Sequence, residues 1–208
     1  MSTFTKEQFI SQLKAAAVKI SEEHPGLSTL DAATGDGDHG VTIHRTFQAV
    51  AAAADESATL PLGEFAKAVA MKVMMCDGGS TSPLLGSWFM GFANAAPADE
   101  LDAEQTAAFF EAGLAGFFGI SKAELGDKTM MDALRPATTA LAAELRAGKS
   151  TQDAFAAASI AASEGTEKTK DYVAKFGRAR TMGEKAIGHQ DPGATSFKYI
   201  FAAFAAAL

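Results

Sequence analysis

Apolar positions recur along this chain at helical spacing. Phe9, Leu13, Ala17 and Ile20 follow one another at steps of three and four, the period of one helix face. Thr5 precedes them with Gln8 three residues on, the spacing of a capping box, so the first helix is predicted from there to about Glu23. The stretch from His24 to Gly40 is dense in Gly, Asp, Ser and Thr and reads as loop. Further apolar stripes predict a second helix from about Gly40 to Ala54 and a third from near Pro61 to near Cys76. A fourth passes through Trp88 and Phe92, and a fifth is capped at Asp102-Ala103-Glu104-Gln105. The sixth is predicted from about Thr129 to Ala147, before Gly148, and the seventh from Ser150 or Thr151 to about Phe176. The last opens at Asp191-Pro192, a cap followed by a ring whose φ suits a first turn.

The pattern is all-α: about eight amphipathic helices joined mostly by short loops, which favours antiparallel neighbours. Periodicity does not decide between a bundle and a closed ring. Composition agrees, with 45 alanines and only 13 valines and isoleucines in 208 residues. Alanine is the best helix former, and strands prefer β-branched residues. The length suits a single domain over 1–208. A formal net charge of −7 without a basic stripe argues against nucleic acid. One cysteine, Cys76, excludes an intrachain disulfide. No charge-free apolar run approaches the roughly 18–20 residues of a membrane helix, and no basic-then-apolar leader is visible. A cytoplasmic setting without membrane partners is expected.

Glycines and site-like polar residues gather in the loops after the first, third, fifth and seventh helices. In an up-and-down array these alternate loops lie at one rim, where a site is expected. The first holds Asp31, Asp36 and Asp38 among Gly35, Gly37 and Gly40. Carboxylates are hard ligands suited to Mg²⁺; a solvated acidic turn is the other reading. An EF-hand counted from Asp36 fails, because Gly40 and Phe47 stand where ligands are required. The second loop, Asp77-Gly78-Gly79-Ser80-Thr81-Ser82, opens a helix and reads as an anion site or as a flexible loop; no Walker lysine follows. In the third, Asp127 reads as a helix cap or Lys128 as a phosphate contact. The fourth carries Arg178 and Arg180, suited to phosphate, and ends at His189-Gln190-Asp191-Pro192-Gly193. His39 and His189, in glycine-rich loops, are candidate ligands or donors; His24 and His44 read as plain surface or helix positions. Carboxylates, glycine-rich turns and arginines at one rim are parts of a phosphoryl-transfer site.

Four blocks, Asp31 to Thr42, Asp77 to Gly86, Gly126 to Pro136 and Gly177 to Ser196, cover about a quarter of the chain. With Gly-Asp-Gly-Asp-His-Gly, Gly-Asp-Lys-Thr-Met and Gly-His-Gln-Asp-Pro-Gly-Ala-Thr-Ser in this order, the sequence resembles the L-subunit (DhaL) family of dihydroxyacetone kinases. The resemblance implies a barrel of eight antiparallel helices binding ADP or ATP and two Mg²⁺ ions at one rim. It implies that Asp31, Asp36 and Asp38 chelate metal and, with Arg178, form the catalytic set. It implies nucleotide contacts at His39, Thr42, Gly79, Ser80, Thr81, Ser121, Met130, Arg178, Asp191, Pro192 and Gly193, with Met130 on the adenine side. Thr42, Ile43, Ser82 and Ser121 depart from the family's usual Asn, Met, Gly and Gly. None of these departures removes a metal ligand.

The function the resemblance implies is phosphoryl transfer from bound nucleotide to a ketose carried by a separate K subunit. In one version ATP exchanges freely. In the other, ADP stays bound and a phosphotransferase-system M subunit recharges it. A four-carbon ketose such as erythrulose is the alternative acceptor, and a regulatory nucleotide-binding protein is the alternative from another class. A homodimer is also open.

Overall fold

The computed structural model describes residues 3–208. Among the described residues there are eight α-helices: α1 (Lys6–Ala32), α2 (His39–Glu56), α3 (Leu62–Met74), α4 (Thr81–Asn94), α5 (Ala103–Ser121), α6 (Met131–Arg146), α7 (Thr151–Lys168) and α8 (Pro192–Ala206). Sequential neighbours pack on one another, and α8 packs back on α1, closing a ring. Two-residue strands β1 (Phe4–Thr5) and β2 (Glu100–Leu101) pair antiparallel, Phe4 opposite Leu101. Nothing in the period of the sequence marks so short a pair. Among the described residues no helix is long and apolar enough to cross a membrane.

Phenylalanine fills the middle of the ring. Phe9 meets Phe92 and Phe109 edge-on at 5.3 Å each, and Phe92 stacks on Phe109 at 4.6 Å. Trp88 is fully buried against Phe89, Phe92, Phe197 and Phe204. Small residues let the helices approach. A Cβ added to Gly91 would lie 2.2 Å from the Ala112 carbonyl oxygen, one on Gly165 1.9 Å from that of Asp132, and one on Gly40 2.0 Å from that of His24. The α4–α5, α6–α7 and α1–α2 crossings thus depend on a missing side chain.

Local end signals hold. Thr5 with Gln8 and Asp102 with Gln105 form complete capping boxes, and Asp191 caps α8 with Pro192 in its first turn. Two expected boundaries are corrected. The first helix continues to Ala32 rather than stopping near Glu23, with Pro25 in its interior. Proline there forfeits a backbone hydrogen bond, but Leu27 and Asp31 extend the buried face of Leu13 and Ile20, and packing outweighs the local loss. The seventh helix ends at Lys168, not near Phe176, and gives way to a 3-10 turn over Thr169–Asp171. The Thr169 carbonyl oxygen, the acceptor that a continuing α-helix would use, instead takes the Lys128 ammonium and the Tyr172 N–H.

Candidate functional site

The last turn of α1 and the loop to α2 bring Asp31, Asp36 and Asp38 together, one oxygen of each lying within 4.8 Å of the others. Asp31 is buried and the other two are exposed. The turn is tight: Gly37 has φ +77°, and a Cβ on Gly35 would lie 2.7 Å from Asp31 Oδ1. The other Asp31 oxygen accepts the His39 N–H at 3.1 Å. Desolvation and the neighbouring Asp36 and Asp31 carboxylates raise the Asp38 pKa above its ordinary value. Among the described residues Arg178 answers this cluster, its guanidinium donating to Asp36 Oδ2 at 2.8 Å. That pair is open to solvent, so it contributes little net stability and is readily exchanged. Three hard oxygens at this spacing fit a small divalent cation.

His39 opens α2 beside the cluster. Ser196 on α8 donates its hydroxyl to the Pro192 carbonyl at 3.1 Å. The 2.8 Å contact between Ser196 Oγ and His39 Nε2 then has the imidazole as donor. Burial pushes the His39 pKa down to about 4, so the ring is neutral near pH 7.

The other loops reach the same rim. Thr42 donates to the His39 carbonyl at 3.0 Å, and its methyl lies 3.8 Å from the Cβ position of Gly79, joining the first loop to the second. Arg45 ties α2 to Asp77 at 2.8 Å. Ser80 and Thr81 begin α4, Ser80 exposed and Thr81 buried. Ser82, the departure from glycine, donates to the Cys76 carbonyl and lies 3.1 Å from its sulfur. Ser121 closes α5, its hydroxyl accepting the Ala123 N–H at 3.3 Å.

Met130 sits over Gly193, where a Cβ would meet its Cγ at 2.7 Å and Asp191 Oδ2 at 3.1 Å. Asp191 is pushed up to about 7, chiefly by burial, with repulsion from Asp132 and Asp31 adding to it.

Both readings of the third loop are corrected. Asp127 caps no helix: its carboxylate accepts from the Glu124 N–H at 2.8 Å and from Lys175 at 2.6 Å. The α6 start is held instead by Asp132, which accepts the Gly126 and Thr129 N–H groups at 2.6 and 2.8 Å. Lys128 points inward, to the carbonyls of Thr169 and His189. The contribution of His189 is its carbonyl. His24 and His44 lie on α1 and α2 with rings stacked at 4.4 Å. Ser196 and Asp132 escaped the sequence reading, although Ser196 closes one of its blocks. No local pattern ties Ser196 to a histidine 157 positions away.

The arrangement combines a carboxylate cluster, an arginine that can be released and helix starts facing one rim. The α2, α4 and α6 starts have no bond from their N-cap side chains, and helix N-termini favour anions. A sequence profile described as the DAK2 domain matches residues 33–206, beginning two positions after Asp31.

The chain belongs to the DAK2-domain family.

Among its DAK2-family relatives is the PEP-dependent dihydroxyacetone kinase 1 ADP-binding subunit DhaL of Listeria innocua. The two are 35% identical over 199 residues, 96% of this chain and 95% of that one. The L-erythrulose 1-kinase of Mycolicibacterium smegmatis is 35% identical over 182 residues, which make up 31% of its length. The crystal structure of the C. freundii dihydroxyacetone kinase in complex with AMP-PNP and Mg²⁺ superposes with a TM-score of 0.72 at 28% identity, over 96% of this chain and 33% of that one. This DAK2-family chain therefore spans about a third of the length of its solved relative.

Proposed function

We propose that this chain is the nucleotide- and Mg²⁺-binding subunit of a dihydroxyacetone kinase, delivering a phosphoryl group to a ketose held on a separate K subunit. The observation that carries it is the meeting of three carboxylate oxygens with Arg178 at the rim where α2, α4 and α6 start without a bond from their N-cap side chains. Asp31, Asp36 and Asp38 hold the metal, two ions by the family resemblance. Magnesium supplies charge neutralisation for the phosphates. Arg178 leaves Asp36 for the charge that develops on the transferring group. Thr42, Gly79, Ser80 and Thr81 line the phosphate side. Met130, Ser121 and the Asp191-Pro192-Gly193 turn line the base side. His39, neutral and committed to Ser196, positions the Asp31 loop and does not act as a base.

On this reading the acceptor arrives on a partner. Met75, Leu125, Phe176 and Ile187 are exposed on segments that end at this rim, and such apolar exposure suits a protein contact. The PEP-dependent Listeria relative supports the version in which bound ADP is recharged by an M subunit. The erythrulose kinase relative and the departures at Thr42, Ile43, Ser82 and Ser121 support a four-carbon ketose as the second reading.

The test is a turnover assay with K subunit and either ketose. Wild type is expected to transfer phosphoryl only when K is present, and Asp36→Asn to transfer none. Unchanged turnover in the variant overturns the metal assignment. Turnover by this polypeptide alone overturns the partner reading.

A further inference from the structure

Lys128 is a lysine in an unusual place. Its backbone is left-handed, with φ +59°, a conformation that costs an L-residue energy and persists only when its surroundings impose it. The residue is 2% exposed, whereas a lysine that meets incoming phosphate needs access to solvent. Two of its three donors are taken by the carbonyls of Thr169 and His189. Asp191, Asp132 and Asp171 are the charges that face it.

Those two carbonyls flank one turn. Thr169 follows α7 directly, and its hydroxyl accepts the Asp191 N–H at 2.9 Å. His189 lies two residues before Asp191. Lys128 itself lies two residues before Met130, the side chain that closes over Gly193. One ammonium therefore joins the α6 start to both approaches of the Asp191-Pro192-Gly193 turn.

We propose that Lys128 is a positioning residue that sets the spacing between Met130 and the Asp191-Pro192-Gly193 turn, shaping the base side of the nucleotide site without touching phosphate. This rests on the nucleotide-binding reading above. Small displacements of groups that line a site carry large penalties in binding. The base and ribose are common to adenosine and ADP, so both ligands feel a change in that spacing equally.

The experiment titrates adenosine and Mg·ADP calorimetrically into wild type and Lys128→Met, with circular dichroism to establish folding. The expected result is a loss of about tenfold for both ligands by the same factor, the effect of removing hydrogen bonds to a charged group. A loss confined to ADP overturns the proposal, because it marks a phosphate ligand. Unchanged affinity for both in a folded variant also overturns it, leaving Lys128 a purely structural role. If Lys128→Met does not fold, Thr169→Val takes its place, removing the hydroxyl that holds the Asp191 N–H. An equal weakening of both ligands, restored by Thr169→Ser, supports the proposal, and unchanged binding overturns it. If wild type binds neither ligand, it is the nucleotide reading itself that falls.

Discussion

The two ends of the helix ring are finished by opposite chemistry. Where α1, α3, α5 and α7 begin, each start has an acceptor: Thr5, Asp102 and Ser150 cap their own helices, and the Asp99 carboxylate accepts the Leu62 N–H at 2.7 Å. Arg146 braces Glu104 and Glu111 there as well. At the other end the N-cap side chains of α2, α4 and α6 make no bond to their own helices, and the first N–H of α2 is held by Asp31 of the acidic cluster itself. There three carboxylates crowd together, and Asp191 is desolvated beside further acids. One end is complete in itself. The other holds polarity that a cation and an anion together would satisfy, so stability and function are separated along the axis of a single scaffold.

That separation can be broken by mutation, beginning in the core. Phe92→Ala empties the middle of the ring and is expected to cost about 3–5 kcal/mol. Denaturant melts measure the cost. Nucleotide titration of the folded fraction should show no change, and a matching loss of affinity would join core and rim.

Asp191→Asn tests the strain at the rim by pH. Burial raises the folded-state pKa of Asp191 to about 7, above roughly 3.9 in the unfolded chain. The folded state then holds the proton between these values, so ionisation costs stability as pH rises through them. The stability of Asp191→Asn relative to wild type should therefore grow from about pH 4 to about pH 7, reaching a few kcal/mol, and stay level above that. A difference that is flat with pH removes the desolvated carboxyl from the account.

Gly40→Ala sharpens the comparison, since this glycine belongs to the acidic-loop motif yet faces His24 across the α1–α2 crossing. Overpacking there is expected to cost about 1–3 kcal/mol, seen as a lower melting temperature. Smallest is Thr5→Ala at the complete end, about 1 kcal/mol for one cap. Turnover with the K subunit should be unaffected by it.

What could be read in advance follows the same division by distance. The boxes at Thr5 and Asp102 and the Asp191-Pro192 start are local, because donor and acceptor lie within one turn. The acidic cluster was legible for the same reason, with glycines permitting one tight turn to hold all three carboxylates. The end of α1 was hidden because Leu27 and Asp31 remain helical through packing, against the local signal of Pro25. The end of α7 was hidden because Lys128, 41 residues away, takes the carbonyl that the next turn would use. The Ser196 partner of His39 and the β1–β2 pair likewise exist only once the ring has closed.

Trp88 carries a consequence for anyone who watches this molecule in solution. It is the chain's one tryptophan, sealed among phenylalanines, and its indole N–H has no partner among the described residues. An indole without water or an acceptor emits toward the blue. Its fluorescence is thus a gauge of whether the ring is closed, silent to events at the rim, and a shift to the red dates the entry of water into the phenylalanine core.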